Sequence, residues 1–152
     1  MISPARIYVR LTDLDILGHV NNAIYLTYFE IARMHYFAEL VGKEWNWMEE
    51  GVVLVKNEVE YLKPIVLNDI PHVTVGLIQM GTKSFTLGYE IHVNDVLVTK
   101  GSSTLVAFNS KKQCTIEIPE KMKEAIQKDY SKSEILLAKF GFKIQNMLNF
   151  AT

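Results

Sequence analysis

The densest group of reactive side chains is Asp13-Leu14-Asp15-Ile16-Leu17-Gly18-His19-Val20-Asn21-Asn22, with two carboxylates, a glycine, a histidine and two asparagines in ten residues. A carboxylate can attack a carbonyl carbon or take a proton from water, so Asp15 is a candidate nucleophile or general base. A histidine such as His19 can orient substrate or water. Asn21 and Asn22 have short side-chain oxygens that can accept an orphaned N–H at a helix start. The next stretch, Ala23 to Phe37, is apolar on almost every face, which predicts a buried helix. Acidic and polar groups are thus aimed at the positive end of a buried helix. Unpaired N–H groups and the helix dipole there can stabilise a developing oxyanion.

The rest of the chain supplies the elements that must hold this site. Arg6 to Leu11 alternates, with Ile7, Val9 and Leu11 on one side, and reads as a half-buried strand. Gly42 breaks the helix, and Leu40 to Glu50, with Trp45, Trp47 and Met48 among acids, reads as a short helix or irregular lid closed by Gly51. Val52 to Leu62 alternates, with Val53, Val55, Asn57, Val59 and Tyr61 on one face, and Pro64 marks an end or bulge. Ile70 to Met80 and Phe85 to Val93 flank the turn Gly81-Thr82-Lys83-Ser84, a hairpin signature. Asn94-Asp95 makes the next tight turn and Val96 to Phe108 the last long strand. Pro119 suits the first turn of a helix running to about Asp129, and residues 133–142 read as a separate peripheral helix. The order predicts an α+β fold, a single domain over 1–152 with its core at about 5–128. A five-stranded antiparallel sheet curls around one long buried helix.

Composition narrows the function. The 49% apolar and 22% charged fractions are those of a globular domain. A net charge of −1 advertises no nucleic-acid or anionic-membrane partner. The single cysteine, Cys114, leaves no intrachain disulfide and no cysteine cluster for a metal. The first residues lack the basic and apolar regions of a signal peptide, and no apolar run approaches a membrane span. The expected setting is a reducing cytoplasm. The sequence has no Gly-x-Ser-x-Gly elbow and neither common glycine-rich phosphate loop. Its four histidines show no His-x-x-x-His spacing, so no metal is expected.

Residues 13–25 resemble the signature of the 4-hydroxybenzoyl-CoA thioesterase-like, or acyl-CoA thioester hydrolase, family of hotdog-fold proteins. Tyr61-Leu62-Lys63-Pro64 with Asp69, the Gly81–Ser84 turn, and Lys100-Gly101 leading to Val106 and Phe108 resemble the same family, in the same order, from about Arg6 to Pro119. The resemblance implies hydrolysis of an acyl-CoA, with an acyl-carrier-protein thioester as second choice, and no cofactor beyond the coenzyme A of the substrate. It implies a homodimer or homotetramer with active sites at subunit interfaces. Asp15 falls on the family's catalytic carboxylate and Asn22 on the helix start whose N–H polarises the thioester carbonyl. His19 joins them as a catalytic candidate. Gly18, Val20, Asn21, Tyr25, Lys83 and Ser84 are the substrate-binding candidates, the last two at the turn where the family contacts pantetheine or nucleotide.

Structural roles compete with each of these. Asp15 could neutralise a helix end, His19 could satisfy local backbone, and Asn21 and Asn22 are caps first. Asp13 is better read as a loop carboxylate that hydrogen-bonds the backbone. Glu30, a helix glutamate of the kind some relatives use as a base, is expected to pair with Arg33 at i+3. Tyr25, Tyr28, Phe29 and Tyr36 could be core, acyl-pocket lining or both. Relatives specific for carrier protein have an asparagine where this chain has Leu17, which weakens any carry-over of their mechanism. Two rival functions are an enoyl-thioester hydratase, whose aspartate and histidine lie five residues apart rather than the four of Asp15 and His19, and a non-catalytic acyl-CoA-binding module. The binding module would have no use for Asp15.

Overall fold

The computed structural model describes residues 2–137, with side chains described through residue 130. Helix α1 spans Ile24–Val41, a stretch without glycine or proline, and ends at Gly42, whose φ of 84° suits a residue without a Cβ. Its buried residues, Tyr25, Tyr28, Phe29, Ala32, Arg33, Tyr36, Phe37 and Val41, recur at helical spacing and form one face.

Strands β1 (Ala5–Arg6), β2 (Gly51–Tyr61), β3 (His72–Met80), β4 (Ser84–Val93) and β5 (Val96–Asn109) form one antiparallel sheet in the order β1-β3-β4-β5-β2. A two-residue strand β6 (Cys114–Thr115) folds back on the end of β5. Four of the five expected strands are present near their expected bounds, the first is reduced to Ala5–Arg6, and the architecture is the α+β hotdog arrangement. On β4 every second residue, Phe85, Leu87, Tyr89, Ile91 and Val93, is buried toward α1. Phe29 stacks on Tyr89, with ring centroids 4.3 Å apart and 10° between planes. It also lies against Gly101, where an added Cβ would come within 2.4 Å of the Phe29 ring. Glycine is needed there so that β5 can pass over the helix. No described helix is long and apolar enough to cross a membrane.

Several expectations are corrected. The sheet covers one face of α1, not its whole circumference, so Leu26, Ile31 and Met34 remain exposed. The first strand keeps only Ala5 and Arg6 in the ladder. The Ile7 N–H still reaches the Pro71 carbonyl, but the chain then turns into a 3₁₀ segment, Leu11–Asp13, that leaves Leu11 exposed. In β2 the register shifts between Leu54 and Lys56, so Val55 is an extra residue. Leu54, rather than Val53 or Val55, therefore shares a face with Asn57, Val59 and Tyr61. Of the two alternatives for the stretch after α1, residues 43–50 take the irregular one, held partly by the Trp45 indole N–H donating to the Glu50 carbonyl at 2.7 Å. Glu30 and Arg33 form no ion pair. The buried Arg33 guanidinium instead donates to the Tyr89 hydroxyl at 3.1 Å, because its side chain points under the sheet and Glu30 points outward. Helix α2 spans Glu120–Leu137 without interruption. Residues 133–137 thus continue it rather than opening a separate peripheral helix, and 138–142 lie outside the described residues.

Candidate active site

The 13–22 stretch folds into a closed loop at the start of α1. Leu14 lies opposite Val20 in an isolated antiparallel bridge, and His19 lies opposite Val66 in a second one. The Asp15 N–H donates to the His19 carbonyl at 2.7 Å, and the Asn21 N–H to the Asp13 carbonyl at 2.8 Å. Val20, buried, donates its N–H to the Ile65 carbonyl at 2.8 Å and anchors the loop on the chain after β2. Gly18 turns the loop with a φ of 75°, the left-handed conformation that costs other residues strain.

Asp15 sits half-buried inside this loop. Its Oδ1 accepts the N–H groups of Leu17 at 2.8 Å and His19 at 3.2 Å, while Oδ2 accepts none among the described residues. One oxygen holds the loop and the other makes no hydrogen bond to the described residues. Ile16 and Leu17 at the tip are exposed.

The helix start provides the complementary group. The expected asparagine cap is not at the helix's N-cap position, which is Ala23 and carries no side-chain cap, and Asn21 instead closes the turn just before it. The Asn21 carbonyl accepts the Ile24 N–H at 2.9 Å, and its Oδ1 accepts the Ala23 N–H at 3.0 Å. The exposed Asn22 N–H, between these, donates no hydrogen bond to the described residues. The Asn22 carbonyl accepts the Tyr61 hydroxyl at 2.8 Å. The peptides on both sides of the free N–H are therefore fixed. A donor of this kind at a helix N-terminus has the chemistry to bind an anionic oxygen.

Asp13 is buried and works inside the fold. Its Oδ1 accepts Arg10 Nε at 3.0 Å and pairs with Arg10 Nη2 at 2.8 Å. Its Oδ2 accepts the Arg10 N–H and the Tyr28 hydroxyl, each at 3.0 Å. Burial pushes this carboxyl up, but the hydrogen bonds and charge of Arg10 and the Tyr28 hydroxyl outweigh it and hold it below its ordinary value. Burial, and then Asp13, push the Tyr28 phenol well above its usual range.

The remaining candidates are less tightly gathered. Tyr25 is buried, its ring edge-on to Tyr61 at 4.9 Å and tilted against Tyr28 at 6.2 Å. Burial raises its phenol, the Ile65 backbone pulls it down, and Tyr61, Asp15 and Asp69 add to the rise. Tyr25 thus packs against Tyr61, whose hydroxyl holds the Asn22 carbonyl. Lys83 and Ser84 are at the other end of the sheet. Ser84 pairs with Val106, whereas Ile91 lies in the row of Thr99 and Tyr61. Seven strand positions, roughly 23 Å at about 3.3 Å each, separate the two rows, and one chain does not bring these residues to Asp15. Sequence reasoning gives no site role to Tyr61 or Arg10, and it does not join Asp13 to Tyr28. Tyr61 stands within a quoted motif, but the spacing of 39 residues from Asn22 carries no local signal.

With this geometry in place, comparison with known proteins identifies the class. Residues 9–126 match the model of the thioesterase-like superfamily, and the chain belongs to that family. Among curated relatives it is 29% identical over 125 residues to the long-chain acyl-CoA thioesterase FadM of Escherichia coli K12, covering 80% of this chain and 95% of that protein. Among solved structures it is similar to a thioesterase from Thermus thermophilus complexed with coenzyme A and Zn. That similarity is 35% identity and a TM-score of 0.72, over 85% of this chain and 95% of that one. A predicted thioesterase from Bacillus stearothermophilus gives 26% identity and a TM-score of 0.75, over 83% and 94%.

Proposed function

We propose that this protein hydrolyses an acyl-CoA thioester to a free carboxylic acid and the thiol. The observation that carries the reading is that the loop opening α1 holds both an Asn22 N–H and an Asp15 Oδ2 that bond none of the described residues. The thioester carbonyl oxygen accepts the Asn22 N–H, which makes the carbonyl carbon electrophilic. Asp15 then takes a proton from water as the water oxygen bonds to that carbon. The tetrahedral oxyanion is held by the same N–H and the helix dipole. Its collapse breaks the C–S bond, and the departing sulfur receives the proton. Direct attack by Asp15 would instead give a mixed anhydride that water cleaves to the same products. FadM and the coenzyme A complex from Thermus thermophilus support coenzyme A over a carrier protein as the thiol.

The working unit in this reading is a homodimer or a dimer of dimers, in a reducing cytoplasm that suits the exposed Cys114 thiol. The long edge strand β2 exposes Val53, Leu54 and Val55, and α1 exposes Leu26, Ile31 and Met34. An open edge and an uncovered apolar helix face both favour a second copy. That copy would also bring a Lys83–Ser84 turn toward the site, where its lysine could meet the phosphates of coenzyme A. The test is thiol release, followed with a thiol-reactive chromophore, from short-chain, long-chain and aromatic acyl-CoAs, together with the mass in solution. Turnover of at least one of them by an oligomer is expected. Binding of acyl-CoA without thiol release would overturn the enzymatic reading in favour of a binding module.

A further inference from the structure

Asp13 is buried at 1% exposure, and its hydrogen bonds go to the segments that enter and leave the loop carrying the candidate site. Its main-chain carbonyl holds the N–H of Asn21, the residue before the free Asn22 donor. Its carboxylate holds the hydroxyl of Tyr28, inside α1, and both the backbone and the guanidinium of Arg10, at the loop entrance. Arg10 is mostly solvent-exposed, so its guanidinium is brought down onto the carboxylate rather than buried with it. One residue thus ties the loop entrance, the loop exit and the body of the helix together. The Asp15 carboxylate lies between these ties, its Oδ1 bonded to Leu17 and His19.

We propose that Asp13 is a positioning residue, whose ties to Arg10, Tyr28 and the Asn21 N–H fix the loop that carries Asp15 and Asn22. The proposal rests on the hydrolytic reading of that pair. A buried carboxylate must be paired wherever it sits, and this one commits its backbone carbonyl and both carboxylate oxygens to the segments flanking the reacting groups. The geometry of such a pair matters steeply, since a displacement of ~1 Å can cost about 10²-fold in rate.

The test compares Asp13→Asn and the milder Tyr28→Phe with wild type, and with Ile126→Val as a core-destabilised control away from the loop. Two quantities are read on folded protein: kcat and KM for thiol release, and amide hydrogen exchange at His19 and Asn21 by NMR. The expected result for Asp13→Asn is a kcat about 10–100-fold lower, with KM within about twofold. His19 and Asn21 exchange speeds up while strand β4 stays protected. Tyr28→Phe moves both quantities in the same direction by less, and Ile126→Val moves neither. If both loop variants keep wild-type kcat and wild-type exchange at His19 and Asn21, and lose only thermal stability, Asp13 is structural and the proposal falls. If wild type releases no thiol from any acyl-CoA, the hydrolytic reading falls by itself. The exchange data then still decide whether Asp13 holds the loop, and unchanged exchange overturns that.

Discussion

Replacing Tyr61 by Phe removes one oxygen, and that oxygen is the donor to the Asn22 carbonyl at 2.8 Å. The ring contact with Tyr25, at 4.9 Å and 83°, survives because Phe keeps the ring. A hydrogen bond of this kind contributes a net ~0.5–1.5 kcal/mol. Tyr61 is 43% exposed, so water can replace its hydroxyl on the carbonyl, which puts the stability loss at the lower end. The catalytic cost is a different quantity. It comes from loosening the peptide that follows the oxyanion donor, and a loss of about 0.5–1 kcal/mol at the transition state corresponds to roughly 2–5-fold in kcat. Initial rates over a range of acyl-CoA concentrations, with a thermal melt alongside, separate the two. Tyr61→Phe is expected to lower kcat by about 2–5-fold, leave KM nearly unchanged and shift the melting temperature by less than about 4 °C. An unchanged kcat would refute the idea that Tyr61 holds the oxyanion peptide. A fall in stability without a fall in kcat would make the hydroxyl a packing feature only.

Other consequences follow from the same geometry. Gly18→Ala places a Cβ where nothing lies within 4 Å, so its cost of about 1 kcal/mol arises from the φ of 75° alone; Gly18→Asn should recover part of it in a denaturant titration. Gly101→Ala drives a Cβ into the Phe29 ring and should destabilise by ~1–3 kcal/mol, with Phe29→Leu in the same chain restoring part of the loss. Because the folded pKa of Asp13 is depressed, its stabilising contribution is present above the ordinary carboxylate value and is lost as pH falls from there through the folded value. Acid unfolding followed by circular dichroism should therefore begin below about pH 4 with a contribution that Asp13→Asn abolishes.

The fold is legible in the sequence because its signals are local. The even alternation of β4, the Asn94-Asp95 turn with both residues at positive φ, and Gly42 at the end of α1 each report one backbone requirement. The departures lie where long-range packing overrides a local pattern. The bulge at Val55 flips the inward set of β2, and the period-two text of residues 6–11 yields to the 3₁₀ turn that seats Asp13. Helical spacing pairs Arg33 with Glu30, but the sheet offers it Tyr89 from 56 residues away. Within the site, the loop and the helix start can be read from residue types. The free Asn22 N–H and the free Asp15 Oδ2 cannot, because each is defined by what every neighbour does with its own hydrogen bonds.

The most direct test of the central claim is kcat/KM for thiol release by Asp15→Asn beside wild type, on the best acyl-CoA of the panel. The isosteric amide retains an oxygen to accept the Leu17 and His19 N–H groups, so the loop is expected to keep its shape. Loss of the activating carboxylate should lower kcat/KM by ~10²-fold or more, with coenzyme A binding and the melting temperature nearly unchanged. A variant that turns over as fast as wild type would contradict the assignment of Asp15 as the reacting carboxylate.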